Sequence, residues 1–248
     1  MLVFGRSDGI FQKVYFSYED MFRLIAFKAI DDIARCMKFI EGHRQVLESI
    51  GVKKVTSANE DWTRNPDVIV VIVESVEDGL VYGGARIHKA NADFPLPIVE
   101  AIQELDESIK GIINKDIDSG TGEVCGLWNS RKITGLGIGA VFMSKACLAL
   151  TPKLGLTSMY ALLAPTTVKL GFETGYEILT QVGNNGTFYY PKMDLIATAM
   201  KLEDAINIPL CAPEFRESVF EIRNNDRLII EEEYRGRKVL LEYSSYIE

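Results

Sequence analysis

Apolar positions along the chain change period several times, and each change marks an element. Val68 to Val73 is an unbroken β-branched run, the pattern of a strand buried on both faces. Leu80 to His88 follows across Glu77-Asp78-Gly79, so the two read as an antiparallel pair, with Arg86 and His88 alternating onto one solvated face. Upstream, Arg23 to Ile30 is strand-like. Ile33, Met37, Ile40, Leu47 and Ile50 then share one face of a helix begun by Asp31 as N-cap and closed at Gly51. His43 lies beside that stripe as a packing residue. Residues 56–67 are polar and hold Asn65-Pro66, which marks a loop. After the break at Phe94-Pro95-Leu96-Pro97, the residues Ile98, Ile102, Leu105 and Ile109 predict one helix with an acidic outer face.

The second half of the chain continues the alternation. Glu123 to Asn129 reads as a strand, Val141 to Leu150 as a helix, Leu156 to Leu163 as a strand and Thr166 to Leu170 as a short helix. Asn185-Gly186, between Tyr176–Val182 and Thr187–Tyr190, is a hairpin signal. A last core strand is expected within Leu195 to Leu202. Glu214 to Arg223 then reads as a helix, and Leu228–Glu233 with Val239–Tyr243 as a hairpin around Arg235-Gly236. Val14 to Ser17 is a candidate edge strand.

The stretch from Ser130 to Ala140 carries the chemistry. Two basic residues, Arg131 and Lys132, precede glycines at 135, 137 and 139, and a helix begins at once. Such a run lets the main chain approach a ligand closely and presents N–H groups to an anion. A Walker loop is excluded because no Lys-Ser or Lys-Thr follows the glycines. Gly135, Gly137 and Ala140 fit a dinucleotide fingerprint, but the following strand ends in Ala164-Pro165 without the acid that should meet a ribose.

Thr134-Gly135-Leu136-Gly137-Ile138-Gly139, with the apolar helix after it and Lys169-Leu170-Gly171-Phe172 downstream, resembles the pyrophosphate loop and Leu-Gly-Phe ending of the GNAT superfamily of acyl-CoA N-acyltransferases. The resemblance covers roughly residues 22 to 200. It implies an α/β fold with a mixed, largely antiparallel twisted sheet, splayed where ligand enters, and helices on both faces. It also implies acyl-CoA as co-substrate, bound by Arg131, Lys132, Thr134, Gly135, Leu136, Gly137, Ile138, Gly139 and Ala140. Thr134 stands where the family usually has Gln or Arg, so a side-chain contact to the phosphates is lost or is replaced by Arg131 or Lys132. Glu123, at the start of the strand leading to the loop, is the candidate general base. The family's acidic tyrosine falls on Thr167, which leaves Tyr160 as the substitute. Glu123-Val124-Cys125-Gly126-Leu127-Trp128 and Gly-Gly-Ala-Arg-Ile at 83–87 are similar to segments of the branch holding acyl-homoserine-lactone synthases and N-acyl amino acid synthases. That branch adds an acyl carrier protein as an alternative donor, which would meet Arg131, Lys132, Lys145 and Lys153. Cys125 reads as small core packing, since no histidine lies near it in sequence.

The expected organisation is an N-terminal extension over 1–21, the acyltransferase domain over 22–205, and an appended helix and hairpin over 206–248. Composition narrows the partners. At 248 residues with 47% hydrophobic content the chain can bury a full core, and a net charge of -8 disfavours nucleic acid and anionic membranes. Four scattered cysteines suggest neither a disulfide framework nor a metal site. No leader or apolar span is visible, so the cytoplasm is the expected location. A small-molecule amine is the expected acceptor, a homodimer is compatible with the sequence, and a non-catalytic acyl-CoA sensor is the alternative function.

Overall fold

The structure is a computed structural model that describes residues 2–7, 10–15, 21–49, 51–52 and 60–247, with side chains from residue 21 onward. Leu2–Ser7 (β1) and Ile10–Tyr15 (β2) pair antiparallel in a sheet of their own. The candidate edge strand from Val14 therefore falls partly in β2, and its residues 16 and 17 lie outside the described residues, as do Ile50 and residues 56–59 of the expected loop.

The remaining ten strands form one sheet. They are Met21–Lys28 (β3), Val68–Ser75 (β4), Val81–Lys89 (β5), Thr121–Asn129 (β6), Ser158–Leu163 (β7), Glu177–Ile178 (β8), Thr187–Tyr189 (β9), Ile196–Leu202 (β10), Arg227–Tyr234 (β11) and Arg237–Ser245 (β12). The order across the sheet is β11-β12-β3-β4-β5-β6-β7-β10-β8, with β9 also on β10. Only β12–β3 and β6–β7 are parallel; the other pairs are antiparallel. This is the expected mixed, largely antiparallel sheet.

Both faces are covered, as the β-branched run of β4 demands. Val70 and Ile72 point into a core with Phe39, Trp62 and Trp128 under helix α1, Ile33–Ser49. Val71 and Val73 point the other way, into the largest core. That second core is closed by α4, Met143–Ala149, and α6, Pro213–Arg223, while α5, Pro165–Glu173, lies against β7 and β10. Among the described residues no helix is long and apolar enough to cross a membrane.

Three expectations change. The helix foreseen from Ile98 through Ile109 is two, α2 (Pro97–Ile102) and α3 (Ser108–Asn114). Asp106 breaks it, because its carboxylate accepts the Ser108 N–H at 3.0 Å and the Gly183 N–H at 2.7 Å, and Leu105 is left exposed. The Asn185-Gly186 turn forms, with Asn184 and Thr187 exchanging main-chain hydrogen bonds of 3.1 Å, yet the flanking strands β8 and β9 both pair with β10 rather than with each other. The C-terminal hairpin extends the main sheet: β12 adds to β3 in parallel, from Leu240↔Met21 to Ser245↔Ala26.

Candidate active site

The site begins where two strands part. β6 and β7 share three register pairs, Thr121↔Ser158, Gly122↔Met159 and Glu123↔Tyr160. Beyond these β6 stays on β5 to Asn129 and β7 stays on β10 to Leu163, so the inner edges of both strands open onto a wedge. Gly126 marks the divergence. Two residues of β6 oppose one of β5 there, and φ of +59° makes Gly126 the extra residue of a bulge that turns β6 aside. The wedge holds a cavity of about 260 Å³ lined mostly by apolar atoms, among them Leu127, Met143, Cys147, Leu163 and Leu170. Val124 to Leu127, which have no β7 partner in the register, line it.

Glu123 stands at the fork. It is 2% exposed, and its Oε2 accepts the Ile98 N–H at 2.7 Å, so it caps α2, whose own N-cap, Leu96, has no side-chain acceptor. Burial pushes its carboxyl up to about 8, against the pull of the Ile98 N–H and of Arg86. Val124 and Cys125 line the cavity and Glu123, the residue before them, does not. His88, its register partner on β5, and Arg86 are buried rather than solvated, because α1, α2 and the turn at Trp62 cover this side of a central strand. The Arg86 guanidinium lies 4.3 Å from the Trp62 ring centroid and is hydrogen-bonded with Cys125. Cys125 thus lines the cavity instead of packing in the core. Burial holds its thiol at about 12, which excludes a resting thiolate.

Tyr160 is not placed to act as an acid in the cavity. Its ring is fully buried in the core under α2, and its hydroxyl donates to Asp116 at 2.6 Å. The cavity has a different phenol, Tyr176, which follows the Gly175 turn after α5. Burial first, then Cys147 and Glu123, raises its pKa and keeps it protonated. Sequence reading missed Tyr176 by placing it in a hairpin arm. His43 is buried as expected but also lines the cavity, and burial, then Arg86, lowers its imidazole to about 4, so it is neutral.

The glycine loop is arranged differently from the expectation. Thr134 and Gly135 are exposed and Leu136 and Ala140 half-buried, whereas Gly137, Ile138 and Gly139 are buried. A Cβ on Gly139 would lie 2.3 Å from Asn129 Cβ, and one on Gly137, at φ +78°, 2.8 Å from Tyr234 Cβ. These two glycines answer to close packing within the chain, and the accessible part of the loop is its front, Thr134 to Leu136. Of the flanking cations, Lys132 is held by Asp78 at 3.1 Å and Tyr82 at 2.8 Å, while Arg131 is exposed beside the groove under α1. Lys145 is buried against Glu232, at 2.8 and 2.9 Å, and so does not belong to a basic docking surface.

A strand antiparallel to one neighbour and parallel to the next, splayed from the second and running through a glycine loop into a helix, defines the GNAT N-acyltransferase fold. Solved structures share this fold over most of the chain. The chain is similar to FeeM, an N-acyl amino acid synthase from uncultured soil microbes, at 12% identity over 75% of this chain and 99% of that one, with a TM-score of 0.56. It is also similar to two CoA-dependent acyl-homoserine lactone synthases. For MesI the identity is 13%, over 82% of this chain and 96% of that one, with a TM-score of 0.53. For BjaI, solved with SAM and isopentyl-CoA, it is 11% over 81% and 89%, with a TM-score of 0.51. No protein-family model and no curated protein matches the sequence.

Proposed function

We propose that this protein is an N-acyltransferase that moves an acyl group from acyl-CoA, or from an acyl carrier protein, to a primary amine such as an amino acid. The observation that carries the reading is the wedge between β6 and β7 with Glu123 at its fork. A pantetheine arm is an extended chain with two amides, and the open edge of β6 offers N–H and C=O groups that would pair with it as a strand would. The apolar cavity beyond suits an acyl chain. FeeM, MesI and BjaI, by their descriptions, make N-acyl amino acids or acyl-homoserine lactones, two of them from CoA donors, which supports this substrate class.

Glu123 is the base. Ionised, it would take a proton from the attacking amine; at about 8 its carboxyl is poised for transfer near neutral pH. Tyr176, rather than Tyr160, is the donor for the departing thiolate, since its phenol stays protonated in the cavity. The accessible loop front, Thr134 to Leu136, with Arg131 at its side, is the place for the donor's phosphates.

A panel of amines, amino acids included, with acyl-CoA and acyl carrier protein donors tests the reading by thiol release. Turnover is expected with at least one amine, and Glu123→Gln should lower it by about 10²- to 10⁴-fold while leaving CoA affinity nearly unchanged. Gln keeps an acceptor for the Ile98 N–H, so α2 stays capped. A second reading, a non-catalytic acyl-CoA sensor, is favoured by one fact: the Glu123 carboxylate is engaged by α2 and set back from the cavity. CoA binding without turnover on any amine would select it.

A further inference from the structure

The tip of the C-terminal hairpin lies on the glycine loop. Tyr234 ends β11 and packs its Cβ and Cγ where a Gly137 side chain would be, and a Cβ on Gly135 would lie 3.3 Å from Nη1 of Arg237, the first residue of β12. Between them, Arg235 and Gly236 make the turn at φ +52° and +76°. A two-residue turn of this kind favours Asn or Asp before its glycine, so an arginine held in the left-handed region is a strained choice. Arg235 and Arg237 are exposed, and neither has an ion-pair partner among the described residues, whereas Lys238 next to them is held by Glu231 at 2.6 Å. A protein with net charge -8 therefore sets the Arg237 guanidinium, which has no ion-pair partner among the described residues, against the accessible stretch of its glycine loop, while the neighbouring Arg235 guanidinium lies 5.1 Å from the Tyr234 ring centroid.

We infer that Arg237, with Arg235 beside it, is the cationic half of the phosphate site and binds the diphosphate of the CoA donor. Thr134 cannot make that contact: its hydroxyl is short and donates to the Ser130 carbonyl at 3.3 Å. Guanidinium suits the task because it meets phosphate oxygens with paired N–H donors. The inference rests on the acyl-CoA reading above and assigns to the hairpin a binding role at that same site.

The test is calorimetry of Arg237→Ala and Arg237→Lys with CoA, dephospho-CoA and pantetheine. Arg237→Ala should weaken CoA and dephospho-CoA alike by about tenfold or more, the worth of a charged hydrogen bond, and Arg237→Lys by less. Pantetheine, which lacks phosphate, should be unaffected. Unchanged CoA affinity overturns the inference. So do equal losses for pantetheine, a loss confined to CoA, which would put Arg237 on the 3′-phosphate, and tighter binding, which would make the tip a cover. If the wild type binds no CoA, the acyl-CoA reading fails separately. The anion site then stands only if inorganic pyrophosphate raises the melting temperature of the wild type and not of Arg237→Ala, and falls otherwise.

Discussion

At the scale of single residues, Glu123 links stability to pH in a direction opposite to that of most carboxylates. Folded, its carboxyl titrates at about 8; its ordinary value is 4.5. Between those values the folded chain holds a proton that the unfolded chain has released, so this group's contribution to stability falls as pH rises from about 5 to 8. Glu123→Gln removes the titration. Its denaturation midpoint, compared with the wild type at pH 5 and pH 8, should gain on the wild type at the higher pH; parallel behaviour at both would contradict a buried, protonated Glu123. The same value predicts that turnover rises with pH through about 8, as the base ionises. Tyr176→Phe separates the two phenols: turnover should drop about 10²-fold, whereas Tyr160→Phe should mainly loosen the contact with Asp116.

The residue scale is also where sequence reading was weakest, and the reasons are specific. Glu123, the proposed base, is picked out in the sequence by its place before the loop. Tyr176 is not, because only the divergence of β6 from β7 brings the turn after α5 over the wedge. Gly137 and Gly139 were read as bringing the main chain close to a ligand, whereas the chain itself occupies the space, Asn129 at Gly139 and Tyr234 at Gly137; Tyr234 comes from an element almost a hundred residues downstream, and no local pattern announces it.

At the scale of elements, period was a good guide to type and a poor one to partnership. The β-branched run of β4 names its element outright, whereas the helical spacing of α1 names the element and not its buried face. Cys36, Phe39 and His43 point inward, Ile33 and Met37 of the expected stripe are exposed, and Asp32 instead of Asp31 caps the helix by accepting the Arg35 N–H at 2.9 Å. Strand order is set by contacts distant in sequence, so the pairing of β8 and β9 with β10 was invisible from an Asn-Gly turn that in fact forms. The joint between α4 and the C-terminal hairpin belongs here too. Lys145 Nζ donates to both oxygens of Glu232 and to Ser218 Oγ at 3.1 Å, and Tyr243 donates to Glu232 at 2.8 Å. Lys145→Met leaves that carboxylate buried without its cation and should cost about 3–5 kcal/mol in chemical denaturation, while Lys145→Met with Glu232→Leu should recover most of the loss. If the double variant is as unstable as the single one, the pair is not the cause.

On the whole molecule, the parallel pairing of β12 with β3 has a consequence in time. Met21 is made well before its partner Leu240, so until β12 is made β3 keeps an apolar edge open, and pairing so distant in sequence forms slowly. A chain that has not yet reached β12 can neither close that edge nor set Arg237 against the glycine loop. A chain stopped after residue 205 should therefore associate through β3, which light scattering of the purified fragment at rising concentration would show; a monodisperse monomer would argue that the edge is protected by other means. The strand of this sheet that comes latest in the chain is thus the one that both covers the β3 edge and completes the proposed phosphate site, so that capacity to bind the donor arrives together with closure of the sheet.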